Sequence, residues 1–257
     1  MRRFLVILAI VIIAIGALAT FLFREHLAHS WTLSHARRLP LNRPVCRKMP
    51  NTTIPADWIS VEASVLSIHL PQGLAKSGLL SDSSGIVLFA HQSDRVAVFP
   101  ASESHPETDP LLIEAESIYP GDIQFTSPSL VYKVYETDPL AFSVSTDADD
   151  VRWLSFCLKH YPDLGWQTIE SINRPDLDGT LRIKQNAAVF GWQSKDYPYS
   201  GKITFETKEN QLDIESVRAI CHSLRVENPS FQKNSDDSRS PMTDDTTSDT
   251  NTEITNR

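Results

Sequence analysis

The chain has 257 residues, 41% of them hydrophobic, with 24 Lys+Arg against 32 Asp+Glu and three cysteines, for a net charge of −8. That length holds one or two domains, and the apolar share is that of a globular chain. Three cysteines are too few for a disulfide-built scaffold, and an acidic balance excludes a general nucleic-acid binder, which needs a basic surface.

The charge is unevenly distributed. Residues 1–48 carry eight Lys/Arg and one Glu (net +7), residues 49–227 carry thirteen and twenty-five (net −12), and residues 228–257 carry three and six (net −3). A basic N-terminal segment, an acidic body and an acidic tail are separate physical objects.

From Phe4 to Phe23 the chain reads FLVILAIVIIAIGALATFLF, twenty residues without a charge. A helix of that length spans about 30 Å, the thickness of a bilayer core, and only Gly16 and Thr20 interrupt its apolar surface. The expectation is a single-pass membrane anchor over residues 4–23. A cleaved signal peptide competes with it, because Arg2 and Arg3 precede the run and Ala17-Leu18-Ala19 has the small-x-small form of a cleavage site. The run nevertheless continues through Phe21-Leu22-Phe23. Arg2 and Arg3 on one flank and Arg24, Arg37, Arg38 and Arg43 on the other nearly cancel in the positive-inside count. A short basic N-terminus before a long apolar run favours a domain outside the cytoplasm.

Residues 24–36 extend the anchor as helix until Pro40 stops it. Pro40, Pro44, Pro50 and Pro55 then mark residues 37–55 as an extended linker. Its Arg37, Arg38, Arg43, Arg47 and Lys48 are expected against anionic lipid headgroups at about 1 kcal/mol each. His26, His29 and His35 do not share one helix face and lack completing ligands, so they read as interfacial polar residues rather than a metal site.

Residues 56–227 read as an acidic α+β domain. Ala63–Leu70 alternates as a strand, and Ile86–Ala90 and Arg95–Phe99 flank a polar turn as a hairpin. Asp109-Pro110 opens a helix that Pro120-Gly121 ends; Ser127-Pro128 and Asp138-Pro139 repeat the start signal. Thr146 is expected to cap a helix over residues 149–160. Strands follow at Gln167–Ile172, Thr180–Lys184, Ala187–Gln193 and Lys202–Thr207, with Asp178-Gly179 as a hairpin turn. A last helix over residues 213–224 sets Ile214, Val217, Ile220, Cys221 and Leu224 on one side. The fold class is α+β: an antiparallel sheet covered by helices, after a transmembrane helix and before a disordered tail. Residues 228–257, almost wholly Ser, Thr, Asp, Asn and charge, hold too little apolar surface to offset the entropy of ordering.

An early strand ending VLSIHLPQGL, a central helix, and a meander closing with IESVRAICHSLRV make residues 60–226 similar to the PsbP/DcrB-like α/β sandwich domains. The resemblance implies a small extracytoplasmic module, often membrane-attached, that binds partners or acts as an accessory factor. It carries over no site residue.

Candidate chemistry is sparse. Cys46 falls in the linker, while Cys157 and Cys221 fall on apolar helix faces as two buried thiols or, in an exported domain, a bridge. Asp147, Asp149 and Asp150 sit at a helix start, where carboxylates meet the macrodipole; they lack the glycine and distal glutamate of a calcium loop. Ser83-Ser84-Gly85 is not a nucleophile elbow, and no glycine spacing forms a phosphate loop. His69, His91, His105, His160 and His222 have no assignable Ser or Cys partner. Asn51-Thr52-Thr53 is a glycosylation acceptor in a host that glycosylates exported chains. No catalytic, cofactor-binding or metal residue is therefore assigned. The expected function is a membrane-anchored binding or scaffolding module that contacts the bilayer and an unidentified protein, not nucleic acid. A membrane-tethered hydrolase is the alternative, to be recognised by histidines and acids converging in one pocket.

Overall fold

The computed structural model describes residues 10, 12–16, 18, 29–34, 43–63, 65–76, 80–81, 85–119, 123–138, 141–142, 147–160, 165–209 and 212–227. Contacts divide the chain into Met1–Val226 and Glu227–Arg257. Of the second unit only Glu227 is described, so the expected disordered tail lies outside the described residues.

The elements in chain order are β1 (Val45–Lys48), β2 (Ile59–Ala63), β3 (Leu66–Leu70), α1 (Gln72–Lys76), β4 (Leu80–Ser81), β5 (Val87–His91), β6 (Asp94–Val98) and β7 (Ser102–Glu103). They continue as α2 (Pro110–Ile118), α3 (Ser127–Glu136), α4 (Ala148–His160), β8 (Thr168–Asn173), β9 (Leu177–Ile183), β10 (Ala187–Ser194), β11 (Tyr199–Thr207), α5 (Ile214–Ser223) and β12 (Arg225–Val226). Among the described residues, nine strands form a large sheet ordered β1-β8-β9-β10-β11-β6-β5-β4, with β7 pairing β11; β12-β3-β2 form a small one.

The α+β class is correct, but the sheet is mixed rather than antiparallel. β1 runs parallel to β8, with Val45 opposite Thr168 and Lys48 opposite Ser171. The reason lies in the supposed linker: between Pro44 and Pro50 the chain is free to donate along the β8 edge, and Val45 N reaches Gln167 O at 2.9 Å and Met49 N reaches Ser171 O at 2.7 Å. Met49 is buried with the core. Arg43 donates to Asp138 Oδ1 at 2.6 Å and to the carbonyls of Tyr135 and Thr137, where the last turn of α3 leaves acceptors open. Arg43 and Arg47, expected at headgroups, are therefore tied to the domain.

Two other expectations need correction. Ala63–Leu70 is not one strand but runs from the last residue of β2 through the whole of β3, and Ala63 pairs Leu66 across that hairpin. Asp178-Gly179 is not a turn either, since both residues pair within β9, and the chain reverses at Arg174–Asp176 with Arg174 N donating to Leu177 O at 2.8 Å. Packing overrides the local signal here. A Cβ on Gly179 would meet Phe190 Cζ at 2.4 Å and Ile172 Cγ2 at 2.8 Å, so the glycine makes room for a core ring.

Strand alternation gives the large sheet two different faces. One face presents Leu181, Phe190, Ile203, Val98, Phe89 and Trp192 to the small sheet and to Val217, Ile220, Cys221 and Leu224 of α5, making the main core. Asp213 caps α5 by accepting from Ser216 N. On the other face α3 lies over β8, β9 and β10, and α2 and α4 pack on it. Leu112, Leu130, Val134, Trp153, Phe156 and Cys157 form that second cluster. Asp109 caps α2 and Thr126, one residue before the expected Ser127, caps α3 in a capping box. Asp147 Oδ1 accepts from Asp149 N at the start of α4; Thr146 and most of the helix expected after Asp138-Pro139 lie outside the described residues.

Residues 29–34 are helical, and Leu33 is buried against Leu154 of α4. Within the expected anchor, residues 4–9, 11, 17 and 19–23 lie outside the described residues. Among those described, no helix is long and apolar enough to cross a membrane.

Candidate ligand groove

The helix-covered face is only half covered. Rows of cross-strand neighbours run from under α3 into the open: Thr180, Gly191, Lys202 and Phe99 in one, Arg182, Val189, Thr204, Ala97 and Leu88 in the next. Thr180 Oγ1 is used up, donating to Pro128 O at 2.6 Å and fixing the start of α3 to the sheet. Gly191 has open space where a side chain would stand, with nothing within 4 Å. The missing side chain at the edge of α3 leaves a groove of about 420 Å³ between Ser127, Pro128 and Val131 of the helix and the sheet beyond. Further out, Ile86, Leu88, Ala97 and Phe99 are part-exposed, and the Lys202 ammonium sits 4.0 Å from the Phe99 ring centroid.

Arg182 lines this groove and also a crevice of about 130 Å³ between α2, α3 and α4, walled by Leu112, Leu130, Val134 and Phe156. It is half-buried, and burial lowers its pKa, with Tyr135 opposing. Among the described residues no carboxylate pairs with it. Its guanidinium faces the Trp166 ring at 5.4 Å, with the Lys184 ammonium at 4.6 Å from the same ring.

The opposite face treats its buried cation differently. Glu170 of β8 is fully buried; its two oxygens accept from Arg218 of α5, and Arg47 of β1 donates to Oε1 at 2.8 Å. Arg218 also pairs Glu215, and Glu170 first among these contacts raises its pKa. This cluster is a closed structural junction of three elements. Neither it nor Arg182 was found from sequence. Arg218 carried a usable signal, lying four residues after Ile214 within the apolar stripe; Arg182 sits in the polar phase of β9 and reads as surface.

The residues considered from sequence are dispersed. Cys157 and Cys221 are separate free thiols in different clusters, and burial pushes Cys157 up to about 12 and Cys221 upward too. Burial also takes Cys46 up to about 11, so none of the three is an activated nucleophile. Among the described residues no group of three His, Cys, Asp or Glu is arranged to hold a metal. His26, His35, Ser83 and Ser84 lie outside the described residues, while His29 falls in the helical segment 29–34. His105 lies 3.6 Å from Glu103 and 3.7 Å from Glu107 at the surface, and His222 Nε2 is 2.8 Å from Pro50 O. The His69 backbone N donates to Ser223 Oγ at 2.8 Å and joins β3 to α5. His160 enters the apolar crevice with Arg182, its ring 4.6 Å from that of Phe156. His91 shares a cleft of about 310 Å³ with Asp94, Asp213 and Ser216 between α1 and α5. There Ser216 Oγ donates to Asp213 Oδ2 at 2.6 Å, within the helix cap.

No family model matches this chain, and no curated protein or solved structure matches it.

Proposed function

We propose that this chain is a single-pass, membrane-anchored protein whose extracytoplasmic α+β domain is a binding module of the PsbP/DcrB-like kind. The observation that carries the reading is in residues 10–18. Ile10, Ile12, Ile13, Ile15 and Leu18 are helical and each more than half exposed, and at 3.6 residues per turn they point to every side. Helical apolar side chains exposed in every direction suit lipid. Outside that segment, exposed large apolar residues include Trp31, Leu111, Ile113 and Ile123, three of them in or between the helices of the half-covered face. Binding, rather than catalysis, is supported by the groove beside α3, whose two cations, Arg182 and Lys202, and hydroxyls are not arranged as nucleophile and base.

Fractionation tests the anchor. The full chain is expected in the membrane pellet after high-salt and carbonate washes, and protease added to intact cells is expected to digest the domain. Recovery of a soluble protein beginning at Thr20 overturns the anchor; protection of the domain in intact cells overturns its orientation.

A second reading, a tethered hydrolase, draws on the cleft holding His91, Asp94, Asp213 and Ser216. It requires ester or amide hydrolysis by the full chain that S216A and H91A each abolish.

A further inference from the structure

The crevice between α2, α3 and α4 combines features that a packed helix layer does not need. Its walls are apolar, yet Arg182 and His160 enter it. Among the described residues His160 Nε2 is buried without a hydrogen-bond partner, and so is Nε1 of Trp166, the ring beside Arg182. Buried polar atoms in folded proteins are nearly always partnered, and a guanidinium partly withdrawn from water gains from a carboxylate in bidentate geometry. Here one guanidinium lies on the wall of both an apolar chamber and an open groove, with His160 on the wall of the same chamber and the Trp166 ring against the guanidinium. Size limits the occupant. A cavity of about 150 Å³ takes a benzene ring, and this one measures about 130 Å³. A ring or short branched chain fits, whereas a long acyl chain does not. The planar fork of a guanidinium matches a carboxylate in bidentate geometry.

Building on the binding-module reading, we propose that Arg182 receives the carboxylate of a compact apolar acid, whose aromatic or branched group fills the crevice while any remainder lies in the groove along α3. His160 Nε2 supplies a second contact to the acid. Leu111, at the rim and 38% exposed, lies where the ligand passes.

The test uses the full chain in detergent and 3-phenylpropionate as probe, read by tryptophan fluorescence, to which Trp166 beside Arg182 reports. Saturable binding is expected. The amide of the same acid and the R182Q variant should each bind about ten- to hundredfold more weakly. V134F, which fills the crevice and leaves Arg182 in place, should also abolish binding, and R182K should restore part of what R182Q loses. Thermal midpoints of the variants show that each is folded. Equal binding of acid and amide, undiminished binding to folded R182Q, or no binding by the wild type overturns the proposal. Competition by inorganic phosphate as strong as by the acid reveals a bare anion site and overturns the apolar part. Palmitate binding in place of phenylpropionate overturns the size assignment while leaving the binding module standing. Failure of the binding-module reading is seen separately, in the hydrolysis assay.

Discussion

The two faces of the large sheet bury an arginine in opposite ways. On the face sealed by the small sheet and α5, Arg218 meets fully buried Glu170, which also holds Arg47, so that β1, β8 and α5 close on one carboxylate. On the face half covered by α2, α3 and α4, Arg182 lies beside Trp166 among apolar side chains, with no carboxylate paired to it among the described residues. A chain that satisfies one buried guanidinium so completely is not short of ways to satisfy another. The contrast marks the first face as a structural junction and the second as the face on which the proposed ligand would sit.

The largest effect that sharpens this contrast is expected from Glu170→Gln. It leaves Arg218 buried with only the exposed Glu215 as its anion, which costs up to about 3 kcal/mol and shows as a large fall in the denaturant midpoint of the full chain. A change below about 1 kcal/mol would mean that the junction is not a closed one. Next comes Gly179→Ala on the same sealed face. The new Cβ meets the rings and methyls of Phe190 and Ile172, and overpacking there is expected to cost about 1–3 kcal/mol by the same measurement.

A smaller effect is expected at the β8–β9 turn. Arg174 binds both oxygens of Asp176 and donates to the carbonyls of His222 and Leu224 at the end of α5. Burial opposes ionisation of Asp176, but the Arg174 hydrogen bonds and charge outweigh it and hold the carboxyl below its ordinary value. A depressed folded pKa stabilises the protein above the unfolded pKa of about 3.9 and loses that stabilisation as pH falls through the folded value. The stability difference between wild type and D176N is therefore expected to be present at neutral pH and to close below about pH 4. A gap that persists at acid pH would show that the charge of Asp176 is not its source. The smallest effect belongs to the open face: Arg182→Gln is expected to change stability by less than about 1 kcal/mol, because it breaks no ion pair and loses only the contact with the Trp166 ring.

How much of this was legible follows the range of the forces involved. Capping signals are local, and Asp109-Pro110 and Ser127-Pro128 marked two helix starts to within a residue, as the apolar stripe did for the helix beginning at Ile214. The meander from β8 to β11 was readable from alternation, as was the apolar side of α5. The parallel pairing of β1 was not, because Val45–Lys48 finds its partner more than a hundred residues away and its prolines read locally as a linker. Asp178-Gly179 misled for the same reason, its glycine answering to Phe190 across the strand pair rather than to a turn. Arg182 was hidden most thoroughly. Its alternation phase is that of an exposed residue, and only the docking of α3 over β9 encloses it.

Hydrogen–deuterium exchange of the full chain in detergent, with and without saturating 3-phenylpropionate, tests the central claim most directly. The account predicts slowed exchange in the amides of α3 and of β9 around Arg182, with α5 and β3 on the sealed face unchanged. Slowing confined to α5 and β3, or spread equally over both faces, would contradict it.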